Sequence, residues 1–309
     1  MRGVSERITT PAFIGVDWGT SNARFMLIDR DGAVLEERAG SGIAALAGVD
    51  AIEAACCAGV GSWVIQHADI PILMCGMVGS NIGWHEAPYV STPAGVEVLG
   101  IHMLHFERHG RHLFIIPGVE TVRDDSAPDL MRGEETQIVG AFRGGDGLAC
   151  LPGTHCKWAT VSDGRITGFH TALTGELMAL IGTQSILLNP RGAPRATASA
   201  AFLDGVQAVQ SHAVGLESML FTVRSFQIKG ELAADAAGDY LSGLCIGADV
   251  KSALTLYPHE SAITLIGTPA LTSLYRAALQ MFGREAHVVN GNAAVVSGLT
   301  KIYMNWLVS

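Results

Sequence analysis

Charge is scarce in this chain: only 16% of its 309 residues are charged, against 49% hydrophobic, and the net charge is −9. So apolar a composition excludes a disordered chain. The acidic balance argues against a nucleic-acid groove, which needs a basic face, and leaves any acidic small molecule to be held by local positive groups. No apolar run reaches membrane-spanning length, and Met1 to Pro11 has no apolar stretch that would make a signal peptide. The six cysteines, Cys56, Cys57, Cys75, Cys150, Cys156 and Cys245, include no C-x-x-C pair. A reducing, cytoplasmic setting is therefore expected. No Gly-x-x-x-x-Gly-Lys-Ser/Thr occurs, which excludes a Walker-type phosphate loop, and the eleven histidines show no linear metal-ligand spacing. Gly40-Ser41-Gly42 imitates a dinucleotide fingerprint, but it follows a charged third strand and lacks the acid expected ~20 residues on.

What is present is alternation. At this length two lobes are the natural expectation. Phe13 to Trp18 reads as a buried strand closed by Gly19-Thr20-Ser21, followed by strands at Ala23 to Asp29 and Ala33 to Arg38 with an Asp31-Gly32 turn between them. A helix from Asp50 to His67 and a strand from Ile70 to Cys75 complete a β-β-β-α-β order. The order returns at Leu148 to Leu151, Lys157 to Ser162 and Arg165 to Thr171, with turns at Pro152-Gly153-Thr154-His155 and Asp163-Gly164. Helices follow at Gly175 to Leu187, Ser199 to Val214, Gly215 to Lys229 and Ala234 to Leu256. The strand Ala262 to Ile266, a helix to Phe282, the strand His287 to Val289 and a helix from Ala293 to Trp306 end the chain. The expectation is a duplicated α/β fold with lobes at 1–142 and 143–309, the second carrying a helical insertion, and a cleft between them.

Five segments suit chemistry. Asp17 at a strand tip, with Gly19, Thr20 and Ser21 after it, suits a polyphosphate: backbone N–H groups and hydroxyls meet the oxygens while the carboxylate holds Mg2+. The same residues also suit an ordinary hairpin. Gly153 and Thr154 repeat the turn, so that two hydroxyl-bearing hairpins are expected to clamp the phosphates from opposite sides. Met131 to Gln137 puts Glu134 and Glu135 at a helix start, where a carboxylate can accept a hydroxyl proton, although acids there also suit the helix dipole. Arg132 beside them fits a substrate anion or an internal ion pair. Gly76 to Trp84 is a glycine-rich loop after a buried strand, with Gly79, Ser80, Asn81 and Trp84 as candidate substrate contacts, and it equally suits a tight turn. A strand ending in Gly267-Thr268-Pro269 before a helix suits a nucleotide base, or packing alone.

Taken in order, Gly15 to Asn22, Gly76 to Trp84 with Ala87-Pro88-Tyr89, Met131 to Gln137, Pro152 to Trp158, Thr174 to Leu177 and Tyr240 to Leu244 span nearly the whole chain. Together they resemble the 2-dehydro-3-deoxygalactonokinase (2-keto-3-deoxygalactonate kinase) family of the actin/hexokinase-like, ribonuclease H-like superfamily. The resemblance implies a kinase that uses ATP and Mg2+ to phosphorylate 2-dehydro-3-deoxy-D-galactonate at its 6-hydroxyl in galactonate catabolism, with a homodimer as an admissible assembly. It puts the first phosphate motif on Asp17 to Ser21, with Asp17 organising the metal. The second falls on Gly153, Thr154, His155 and Lys157, and the adenosine motif on Gly267 and Thr268. It makes Glu135 or Glu134 the base, the mechanism being written through Glu135, and Glu176 a contact to sugar hydroxyls. Gly291-Asn292-Ala293 departs from the Gly-Asp of the family. A phosphohydrolase, a sugar-acid sensor and an actin-like assembly protein are the competing readings.

Overall fold

The computed structural model describes residues 10–189 and 198–308; residues 1–9, where no signal peptide is expected, lie outside the described residues. The first apolar run forms β1 (Pro11–Trp18), antiparallel to β2 (Asn22–Asp29), which is antiparallel to β3 (Val34–Ser41). The Asp31-Gly32 turn joins the last two as expected. Gly32 sits at φ 85°, and the Asp29 carboxylate accepts the N–H groups of Asp31 and Ala33 at 3.0 and 2.8 Å. After α1 (Val49–Gln66), β4 (Ile72–Gly76) lies parallel to β1 and is buried at every position, as a strand covered on both faces must be.

The stretch that follows is more structured than its sequence suggests. It holds β5 (Tyr89–Ser91), α2 (Val96–Ile101), β6 (Leu104–Arg108), β7 (Arg111–Ile115), β8 (Gly118–Val122) and β9 (Pro128–Met131), ahead of α3 (Glu134–Ala141). The first sheet runs β3-β2-β1-β4-β7-β6, and β5, β8 and β9 form a small sheet of their own.

The second repeat begins with β10 (Gly147–Leu151), β11 (Cys156–Ser162) and β12 (Arg165–Ala172). Four helices follow: α4 (Thr174–Gln184), α5 (Ala200–Ser211), α6 (Leu216–Lys229) and α7 (Ala237–Leu256). Then come β13 (Ile263–Gly267), α8 (Pro269–Met281), β14 (Ala286–Asn290) and α9 (Gly291–Trp306). This sheet runs β12-β11-β10-β13-β14, with β10 antiparallel to β11 and parallel to β13. The order and directions repeat those of β3-β2-β1-β4-β7, so the expected duplication is present.

Two compact units result. The first comprises residues up to Gly144, Gly164–Thr167 and the chain from Ala293 onward; the second comprises Gly145–Asp163 and Gly168–Asn292. The core of the first gathers Ile14, Val16, Trp18, Phe25, Trp63 and Met74. The second has one cluster around Leu148, Trp158, Phe202 and Leu265 and another among its helices around Val223, Leu241 and Leu244. The body of α9 belongs to the first unit, where it crosses α3 backbone to backbone. A Cβ on Gly140 would strike the Ala294 carbonyl, and one on Gly298 would strike that of Thr136.

Candidate active site

In the first unit three element ends converge. Asp17, next to last in β1, stands opposite Cys75 of β4 and Arg24 of β2. Gly76 ends β4 at φ 90°, where a Cβ would lie 2.7 Å from the Trp18 carbonyl oxygen. Gly133 (φ 107°) approaches that same Gly76, 3.1 Å from a would-be Cβ to its Cα, and α3 starts one residue later. Only glycine allows this approach and these backbone angles, and together they bring Glu134 to the tip of β1.

The electrostatics follow from that convergence. Burial pushes the Asp17 carboxyl above its ordinary pKa; Arg24 opposes the shift and the neighbouring Glu134 adds to it. Arg24 is itself forked onto Glu37 through two contacts of 3.1 Å. Glu135 has no exposed surface. Its Oε2 accepts the Gly133 N–H at 2.6 Å and its Oε1 the Thr136 hydroxyl at 2.9 Å. Burial first, then repulsion from Glu134, lifts its pKa to about 7, with those hydrogen bonds working against the rise. Glu134 is half-buried and accepts the Arg132 N–H at 3.1 Å.

Arg132 is held from one side only. Its Nη2 donates to the Ala87 carbonyl at 2.8 Å and its guanidinium lies 4.2 Å over the Tyr89 ring. Nε and Nη1 are shut off from solvent and have no hydrogen-bond partner. Gly79 faces Nη1, 3.0 Å from a would-be Cβ, so a larger residue there would press on the guanidinium. The glycine-rich loop itself turns through a short 3-10 segment, Met77–Gly79, with the Ser80 hydroxyl donating to the Met77 carbonyl at 2.8 Å. Asn81 is exposed, whereas Trp84 is buried and packs edge-on against Phe106. Trp84 therefore supports the loop from the core side.

The Gly19-Thr20-Ser21 turn exposes both hydroxyl residues while residues 42–44 hold its carbonyls: Gly42 donates to Ser21, Ile43 to Gly19 and Ala44 to Thr20 at 3.0–3.2 Å. A Cβ on Gly42 would collide with the backbone of Thr20 and Ser21. The false dinucleotide fingerprint thus has a local reason for its last glycine.

The second unit repeats the turn. Thr154 and His155 are exposed, the Thr154 carbonyl accepts the Glu176 N–H at 2.9 Å, and His155 Nε2 lies 2.6 Å from Glu176 Oε2. Lys157 is buried, its Nζ donating to the Thr171 hydroxyl at 2.7 Å. Beneath the turn Asp249 accepts from Trp158 Nε1 (2.9 Å), the Thr174 hydroxyl (2.8 Å) and the Tyr275 hydroxyl (2.5 Å). Gly267 ends β13, and Thr268 precedes Pro269 at the first turn of α8. Gly267 lines a cavity of about 440 Å³ together with Pro269, Thr272, Arg276 and Asn290. Of these, Arg276 and Asn290 carry no ligand signature in the sequence, and neither do Tyr89 and Asp249. Asn290 Oδ1 accepts the Asn292 N–H at 3.0 Å, so the departing Gly-Asn segment opens α9 through an ordinary side-chain cap.

Two sheets of one repeated order, each with a Gly-Thr turn after its first strand, define a protein of the actin/hexokinase-like class. A fold match of TM-score 0.50 at 10% identity agrees: it covers 95% of this chain and 95% of the activator of 2-hydroxyisocaproyl-CoA dehydratase from Clostridium difficile, solved with bound ADPNP. Sequence narrows the class. The family model described as 2-keto-3-deoxy-galactonokinase matches residues 17–302, and the chain belongs to that family. It is 35% identical over 295 residues to the 2-dehydro-3-deoxygalactonokinase of Escherichia coli (strain K12), covering 95% of this chain and 98% of that one. It is 38% identical over 301 residues to the Rhizobium meliloti (strain 1021) protein named "Probable 2-dehydro-3-deoxygalactonokinase DgoK1", covering 94% and 96%. A crystal structure from Sinorhizobium meliloti, described by name only as a 2-dehydro-3-deoxygalactonokinase, superposes with a TM-score of 0.85 at 36% identity, covering 94% of this chain and 97% of that one.

Proposed function

We propose that this chain transfers the terminal phosphoryl group of ATP to the 6-hydroxyl of 2-dehydro-3-deoxy-D-galactonate, releasing ADP. Family membership supports the kinase activity and gives the phosphohydrolase, sensor and assembly readings no footing. The observation that carries the choice of substrate is Arg132. A guanidinium whose Nε and Nη1 are enclosed and unpaired is costly unless a ligand oxygen completes it, and a carboxylate is the anion that best suits an arginine. A sugar acid supplies such a carboxylate and a neutral sugar does not. Gly79 lets the loop backbone pass close to the guanidinium, Tyr89 fixes its plane, and the exposed Asn81 is placed to meet a substrate hydroxyl.

Of the two acids left open by the sequence, Glu134 suits the base. A base must reach the proton it takes, and Glu135 is fully enclosed with both oxygens already accepting. In the step so written, the substrate oxygen forms a bond to the γ-phosphorus, the bond from that phosphorus to the β–γ bridging oxygen breaks, and the hydroxyl proton passes to Glu134. Glu135 positions the start of α3 through Gly133. Asp17 offers hard carboxylate oxygens of the kind Mg2+ takes, and Mg2+ on the phosphates would offset the charge that moves to the leaving group. In the first unit Thr20, Ser21 and the N–H groups of their turn are the phosphate contacts; in the second, Thr154 and its turn are, with His155 and Lys157 beside them, while Glu176 meets sugar hydroxyls and Gly267 and Thr268 border the adenosine. Among the described residues no helix is long and apolar enough to cross a membrane, and all six cysteines are free, which supports a cytoplasmic enzyme.

The test is ADP release across a panel of 2-keto-3-deoxy acids and their neutral sugar counterparts. Turnover confined to the acids is expected, and Arg132→Lys should raise KM for the acid by roughly 10–100-fold with KM for ATP unchanged. Equal turnover of neutral sugars, or an unchanged KM in the variant, would overturn the assignment of Arg132.

A further inference from the structure

The hairpin formed by β6 and β7 lies at an edge of the first sheet. Glu107 pairs directly with His112 and His105 with Phe114, so the alternation of an antiparallel pair puts His105, Glu107, His112 and Phe114 on one face. The opposite face turns Leu104, Phe106 and Leu113 toward the core. The side chains on the first face form a column. The His105 ring stacks on Phe114 at 4.6 Å and on His112 at 5.2 Å, and Phe114 in turn packs against Trp306 of α9 at 4.7 Å. His105 Nε2 stands 3.1 Å from His112 Nδ1, which stands 3.5 Å from Glu107 Oε1, and the three donor atoms lie within 4.8 Å of one another.

We propose that these three side chains form a binding site for a borderline divalent cation of the zinc type, separate from the candidate phosphoryl-transfer residues. Two imidazole nitrogens and one carboxylate oxygen are the ligands Zn2+ takes when a coordination position stays open. Metal–ligand bonds of ~2.0–2.2 Å put neighbouring donors ~3.0–3.5 Å apart, the separation already present between His112 and each of its partners. The aromatic stack fixes His105, the direct cross-strand pairing brings Glu107 to His112, and a small rotation of the exposed Glu107 closes the third edge. Linear motifs miss the site because its ligands meet across a hairpin. A cavity of about 770 Å³ lined by His105, His112, Phe114, Tyr303 and Trp306 adjoins the imidazoles, leaving room for water on the remaining positions. The bound ion would tie an edge hairpin to itself and stabilise the folded state by binding it alone.

Isothermal titration of the untagged full-length chain with ZnCl2 in excess Mg2+ tests this. One equivalent of Zn2+ should bind at micromolar concentration, His105→Gln and His112→Gln should each weaken binding at least 30-fold, and Zn2+ should raise the melting temperature of the wild type by roughly 2–4 °C but not that of the variants. Circular dichroism of the variants checks their folding, and their ADP release without Zn2+ should match the wild type. No saturable binding in the wild type, or binding equally tight in both folded variants, would overturn the site. Should one variant misfold, Glu107→Gln replaces it, with a weakening of at least 10-fold expected and none counting against the proposal.

Discussion

The two repeats place acids near equivalent turns and treat them in opposite ways. In the first unit Asp17 sits at the strand tip with, among the described residues, one weak hydrogen-bond partner, the Cys75 thiol at 4.0 Å, and burial and Glu134 raise its pKa. In the second, Asp249 lies beneath the turn and takes three donors from Trp158, Thr174 and Tyr275. A carboxylate with three short donors is stabilised as it stands and has little left to offer a ligand. One left short of donors holds charge at a cost that a cation or a protic substrate relieves. The same topology thus separates an acid left short of donors, the one proposed for chemistry, from an acid used to fasten β11, α4 and α8 together.

The sharpest way to break this contrast is Asp17→Asn. If the strained carboxylate acts on the phosphates, turnover should fall by at least ~10³-fold in the ADP-release assay, while the melting temperature holds or rises because a buried charge has been removed. Activity within tenfold of wild type would remove Asp17 from the mechanism. Next in size stands Glu134→Gln, expected to lower kcat by ~10²–10⁴-fold with KM for ATP little changed, as the loss of a proton acceptor does.

Glu135→Gln separates support from chemistry through pH. The Glu135 carboxyl titrates at about 7 in the folded chain against 4.5 ordinarily. Between those values the folded state holds the proton more tightly than the unfolded one, so this group's contribution to stability is fully present below about pH 4.5 and is lost as pH rises to 7. The loss is on the order of 3 kcal/mol. Glutamine cannot titrate, so denaturant midpoints should show wild-type stability falling relative to Glu135→Gln across that window. A constant difference from pH 4.5 to 7 would refute the raised pKa.

Much of this architecture is legible from local signals. The buried run Phe13 to Trp18, the Asp31-Gly32 and Asp163-Gly164 turns and the helix that starts at Glu134 form where neighbouring residues direct them to. Residues 85–131 are different, because β5 has three residues, α2 has six, and neither is long enough to display a period. One local sign was there: His109 and Gly110 both adopt positive φ, 50° and 69°, as a tight hairpin turn between β6 and β7 requires. The site divides the same way. Asp17, Arg132, Glu134 and Glu135 stand out as residue types at strand and helix ends. What Arg132 lacks, and how Tyr89 holds it from 43 positions away along the chain, depends on long-range packing that no window of sequence contains.

Asp249 is the extreme case, since its partners lie 91, 75 and 26 residues away. It also gives the gentlest test of the comparison. In Asp249→Asn the amide oxygen can still accept the Trp158 indole N–H, but the NH2 then stands where both the Thr174 and Tyr275 hydroxyls donated, and both must reverse. The hydroxyl hydrogens then lose their shared acceptor in a buried site, at a cost of ~1–3 kcal/mol. The melting temperature should therefore fall by several degrees while kcat at a permissive temperature stays within about threefold, the inverse of Asp17→Asn. A loss of turnover in a fully folded Asp249→Asn would mean that the second repeat also keeps an acid for chemistry, and that donor count does not sort the two.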